Sequence, residues 1–136
     1  MASAGADNTA RLWNGENGAP LKTLTVGSVA YAIAISPDGK QIAAGSFDGF
    51  VRLYDATSAR LLLSLVALPN AEQPAWWAIT PEGYFDRGGE PTQKAQWRAN
   101  GQAAPEALWK PLEDANLVAK ACRGETLPAP QVDAKK

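Results

Sequence analysis

Short apolar runs of four to six residues alternate with turn chemistry over the first two-thirds of the chain, the pattern of strands in a meandering antiparallel sheet. Residues 30–65, AYAIAISPDGKQIAAGSFDGFVRLYDATSARLLLSL, read as four such runs. Tyr31 to Ser36 is the small, apolar inner run. Pro37-Asp38-Gly39 then supplies a fixed φ, a capping carboxylate and a residue free to take positive φ. Gln41 to Ser46 follows, and Asp48-Gly49 carries the residue types of a primed hairpin turn, which predicts that Phe50 to Tyr54 runs back antiparallel. Arg60 to Leu65 is the fourth and outermost run.

The unit repeats. ADNTARLWN at 6–14 returns as FDGFVRLYD at 47–55, so that Asp7 and Asp48 stand 41 residues apart. Residues 2–24 match the last three runs of the four and lack the first. A third start, WWAITPEG at 76–83, mimics AIAISPDG, with Pro81 lying 44 residues after Pro37; the unit then degenerates through YFDRGGEPTQKAQWRANG, which ends a strand at Trp97. A period near forty residues is the length of a four-stranded propeller blade, and a blade buries its faces only by stacking on neighbours. From Pro105 the spacing turns helical: Leu108, Leu112, Ala115, Val118, Ala119 and Cys122 fall near one face, Pro111 divides the segment into two short helices, and Gly124 is placed to end it. The prolines and charges of TLPAPQVDAKK predict an extended tail. The expected fold is therefore all-β. Two to three four-stranded antiparallel blades of a partial β-propeller occupy 1–104 (blades 2–24, 30–65 and 75–100), short helices 105–124, and an extended tail 125–136.

These motifs resemble the WD-repeat β-propeller family, in which each unit carries a turn aspartate and closes its third strand with Trp-Asp. The likeness covers residues 2–100 and rests on the SPDG-type reversals, the DN and DG turns, and RLWN and RLYD. Both endings depart from the family pattern, at Asn14 and at Tyr54. Val26-Gly27-Ser28 replaces the usual Gly-His. Without that histidine the resemblance implies only the aspartate-to-backbone part of the family's hydrogen-bond chain, at Asp7 and Asp48. The segment 80–125 resembles the degenerate last unit and terminal helices of certain bacterial WD-repeat proteins, where the propeller is joined to protease-like or cytochrome-like modules.

Composition narrows the function. Thirteen basic and fourteen acidic residues leave a net charge of −1 with no basic cluster, which argues against nucleic acid. No apolar run is long enough to span a bilayer, so direct membrane insertion is not expected, and residues 1–15 show no secretory pattern. Cytoplasm and periplasm both fit. There is no histidine and a single cysteine, Cys122, which reads as a small buried apolar residue. Zinc and calcium lack their ligand sets, Gly88-Gly89 lacks the context of a phosphate loop, and no nucleophile stands with a base. No metal, cofactor or catalytic residue is expected. Asp7, Asp38, Asp48 and Glu82 are read as turn residues accepting backbone N–H groups.

Three units are fewer than close a ring, so terminal blade faces should be left apolar and open. Met1 at a strand position suggests a truncated or split gene product. The function expected is a non-enzymatic scaffold or structural subunit, completed by docking to other chains, with hetero-assembly ranked above homo-oligomeric closure. The alternative is the recognition lobe of a larger multidomain bacterial enzyme or cytochrome-linked protein. Candidate partner contacts are Phe47 and Phe50 beside the hairpin turn and Trp76 and Trp77, whose adjacent side chains must face opposite ways.

Overall fold

The computed structural model describes residues 1–68, 75–89, 98–99 and 102–130, and divides into two units, 1–66 and 67–136. Trp97 and the last six residues lie outside the described residues.

Unit 1 holds the two repeats that the alternation predicts. Strands β1 (Ala2–Ala4), β2 (Thr9–Trp13) and β3 (Pro20–Thr25) form a three-stranded antiparallel sheet. The first repeat thus has three strands where the second has four. Those four, β4 (Ala30–Ile35), β5 (Gln41–Ser46), β6 (Phe50–Asp55) and β7 (Leu61–Leu68), each run antiparallel to the one before. Because side chains alternate across a strand, one face of the second sheet turns Ile42, Ala44 and Tyr54 toward Ala10, Leu12, Leu24 and Val26 of the first. This is the core of the unit. Tyr54 keeps its polar end satisfied there by donating its hydroxyl to the Thr25 carbonyl at 2.8 Å. In the first repeat, Trp13 donates its indole N–H to Ser3 Oγ at 2.8 Å.

The reversals share one geometry, which differs from the primed turn expected at Asp48-Gly49. The Gly49 N–H donates to the Ser46 carbonyl at 3.0 Å, and in this turn Gly49 alone takes positive φ (83°). Phe47 and Asp48 are therefore the centre of an ordinary turn followed by a left-handed residue, because Asp48 gains more from bonding its carboxylate to the Phe50 N–H than from entering the left-handed region itself. Gly39 bonds to Ser36 and Gly83 to Thr80 in the same way. Asn8 stands in the corresponding left-handed position at φ 65°.

Unit 2 contains the hairpin β8 (Ala75–Ile79) and β9 (Phe85–Gly88), a small ladder of β10 (Arg98–Ala99) with β11 (Gln102–Ala103), α1 (Glu106–Trp109), a 3-10 turn (Lys110–Leu112) and α2 (Ala115–Cys122). Pro111 separates the helices as expected. It also resets their phase: Val118 and Ala121 are buried while Ala115 and Ala119 are exposed, so the single apolar face drawn through the whole segment is not formed. Asp114 caps α2, accepting from the Asn116 and Leu117 N–H groups, and Gly124 (φ 81°) ends it. The described start of the tail is anchored by buried Leu127. Cys122 is half-buried, and that burial pushes its thiol up.

One turn breaks the pattern. Ser36 and Ser46 donate their hydroxyls to the carboxylates two residues on, Asp38 and Asp48, each at 2.6 Å. In TPEG the carboxylate is Glu82, one methylene longer, and the buried Thr80 hydroxyl has no partner among the described residues. Because leaving a buried hydroxyl unpaired costs about 1–3 kcal/mol, Thr80→Val is expected to be neutral or stabilising. Glu82→Asp is expected to add about 1 kcal/mol by restoring the bond. Urea unfolding of both variants checks this; a loss in both would contradict it.

Candidate interaction surface

Over β4 and β5 the second face of the sheet is built from small side chains. Cross-strand pairing aligns Ala32 with Gly45 and Gly45 with Val51, and beside them Ala34 with Ala43 and Ala43 with Leu53. A bulge between Ala30 and Ala32 brings Tyr31 to the same side, where its ring lies next to Gly45. The result is two adjoining shallow hollows of about 230 and 180 Å³ that share Ala34 and Ala43, with Tyr31 at one end and Ile35 and Leu53 at the other. Among the described residues no charged side chain lines either hollow. Tyr31 and Val51 are exposed on it, so the unit presents an open apolar face of the kind that marks an interface.

Phe47 stands at the tip of the β5–β6 turn, 77 % exposed, and meets Tyr31 edge to face at 5.7 Å between centroids. Phe50 is half-buried, with the Arg52 guanidinium 5.1 Å from its ring centre. In unit 2 the two indoles face opposite ways. Trp77 is buried and stacks on Phe85 at 5.2 Å, whereas Trp76 is 42 % exposed.

The turn aspartates do more than the histidine-free sequence implies. Asp48 accepts from Ser46 Oγ, from the Phe50 N–H and from both terminal nitrogens of Arg52, closest at 2.7 Å. The Arg52 guanidinium and the Ser46 hydroxyl hold its carboxyl far below the usual range. Asp7 is bound by the Thr9 hydroxyl and N–H and by Arg11, which together lower it to about 2. Both repeats thus place an arginine four residues after the aspartate. In a tight hairpin that spacing returns the arginine to the side of the turn, and Asp7…Arg11 and Asp48…Arg52 were the signal for it. The hydroxyl comes from either side: Ser46 precedes its aspartate, while Thr9 follows Asp7 because Gly5 occupies the serine position.

Among the described residues no helix is long and apolar enough to cross a membrane, and no three His, Cys, Asp or Glu side chains group as metal ligands do. The depressed carboxyls of Asp7, Asp38, Asp48 and Asp55 are each accounted for by bonds within their own turns. They are tied into structure.

Antiparallel sheets stacked in successive repeats, with only short helices besides, define a partial WD-type β-propeller. The comparisons with known proteins agree: residues 18–55 match the family model described as WD domain, G-beta repeat. The chain is also similar to the ribosome biogenesis protein WDR12 homolog of Trichoplax adhaerens, 32 % identical over 110 residues, 77 % of this chain and 26 % of that protein. The WDR12 homolog of Nematostella vectensis is 42 % identical over 55 residues, covering 40 % of this chain and 13 % of the relative. Coronin-7 of Mus musculus is 41 % identical over 64 residues, covering 46 % and 7 %. The chain spans about a quarter or less of the length of these relatives. All three are eukaryotic proteins, so the bacterial likeness expected from residues 80–125 finds no support among them.

Proposed function

We propose that this chain is a non-enzymatic WD-repeat scaffold that binds protein, completing its sheet stack by docking to other polypeptides, with hetero-assembly preferred over association of identical copies. The observation that carries the reading is the open face of β4–β6, where Ala32, Ala34, Ala43, Gly45, Val51 and Leu53 form an uncharged floor. Phe47, Phe50 and Trp76 are the proposed aromatic contacts; Trp77, expected among them, is buried against Phe85 and is packing instead. Asp7 and Asp48 are the turn residues that hold the blades in shape. Two relatives are named for ribosome biogenesis and the third is a coronin, so their names support repeat-mediated interaction and do not single out one pathway. The proposed division is propeller to residue 104, helices to 124, then tail; nucleic acid, cofactors and membrane insertion form no part of the reading.

A second reading has its own support: the low coverage of the relatives fits a recognition lobe within a longer polypeptide. Size-exclusion chromatography with light scattering tests the exposed face directly. The purified chain is expected to self-associate or aggregate as its concentration rises. Ala34→Glu, which sets a charge on the groove floor without disturbing the core, should weaken that association at least about tenfold. A wild-type chain that stays monomeric and well folded would count heavily against an apolar face that needs a partner to cover it.

A further inference from the structure

On the β8–β9 hairpin, Trp76 pairs with Gly88 and Ala78 with Asp86, so all four share one face, opposite the buried Trp77. The Trp76 indole lies down over Gly88. A Cβ there would collide with its Nε1, Cε2 and Cζ2 atoms, and only glycine lets the ring rest on the strand backbone. One face of the indole is thereby covered, and 42 % of the residue remains exposed. Asp86 sits diagonally across the ladder from Trp76, about 7 Å away by the geometry of such pairs. It accepts a hydrogen bond from the Arg87 N–H at 2.8 Å, and among the described residues it forms no ion pair.

The other face of the same hairpin shows what such a pair holds. There Arg87 lies 5.5 Å from the Trp77 ring centre while its Nε donates to Glu113 at 3.0 Å, placing a guanidinium between an indole and a carboxylate. Trp76 and Asp86 repeat the indole and the carboxylate without the cation. We infer that this face is a docking site for an arginine or lysine side chain of a partner protein, which lays its cationic head over Trp76 and pairs it with Asp86. An apolar side chain would cover the ring equally well but would leave the carboxylate uncompensated, so the site selects for charge. The inference is independent of the apolar groove in unit 1, and either can fail alone.

The indole N–H resonances of the intact chain report on it, with Trp76 assigned through Trp76→Phe. Titration with the blocked tripeptide Gly-Arg-Gly is expected to shift the Trp76 signal saturably, with a dissociation constant on the order of 10 mM, as suits one exposed contact. The norleucine analogue should bind about threefold or more weakly, Asp86→Asn should weaken the arginine peptide by a similar factor, and added salt should do the same. Gly88→Ala, which displaces the ring, should abolish the shift. Equal binding of the norleucine peptide, indifference to Asp86→Asn, or no saturable shift would each overturn the assignment. Among the described residues Asp86 is bonded only to its neighbour's N–H, so its variant tests the site with the hairpin intact.

Discussion

Phe85→Ala is expected to destabilise unit 2 by about 3–5 kcal/mol, the cost of truncating a fully buried aromatic. Phe85 is 0 % exposed; Trp77 stacks on it, Trp109 leans on it at 6.2 Å, and its carbonyl accepts from the Asp114 N–H at 2.9 Å. The backbone bond survives the substitution, so the loss reports on the ring. Arg87, which lies over both Trp77 and Trp109, should lose its fixed position as well. Chemical unfolding followed by tryptophan fluorescence measures the change. A loss below about 1 kcal/mol would mean that the three rings do not form a common core.

Asp48→Ala is the second large effect, at about 1–3 kcal/mol. The substitution leaves the fully buried Ser46 hydroxyl, among the described residues, with only the Phe50 carbonyl to donate to, and deprives Arg52, whose side chain is 17 % exposed, of its carboxylate while its bond to Ser46 Oγ at 2.7 Å remains. Partial solvent access keeps the figure below that of a buried ion pair. The pH dependence has a fixed sign. A carboxyl whose pKa is depressed on folding stabilises the protein above its unfolded value, here 3.8, and that contribution is lost as pH falls toward the folded value. Asp7, lowered to about 2, acts in the same direction, as do Asp38, Asp55 and Glu113. Stability should therefore decline steeply below pH 4 in the wild type and less steeply in Asp48→Asn. Identical acid limbs would show that the bonds to Asp48 are already present in the unfolded chain.

The strands β2 and β4 to β7 were readable as short apolar runs bounded by turn residues; of these only β2 alternates strictly in burial, with Ala10 and Leu12 inward. The missing strand of the first repeat was readable for the same reason. The turn at Asp48-Gly49 was misread because the dipeptide fits two turns, and the choice between them rests on where the Asp48 carboxylate finds donors. The helical segment was misread across Pro111, since a helical wheel assumes one continuous phase and a proline resets it. Of the candidate contacts, the opposed orientations of Trp76 and Trp77 follow from strand geometry alone. The groove was foreseen only as an open blade face, because its small floor depends on which residues come opposite one another: Ala43 meets Ala34 and Leu53 by register, and nothing in their spacing along the chain announces it.

An arginine that reaches back to the aspartate of its own hairpin makes the carboxylate of each reversal self-sufficient. The bonding of the carboxylate is local to the hairpin, while the Phe47 N–H still donates to the Val29 carbonyl of the loop before it. Such a module keeps its wiring when it is transplanted, duplicated or permuted. With no imidazole in the circuit, acidifying a compartment from neutrality to pH 5 leaves it unchanged.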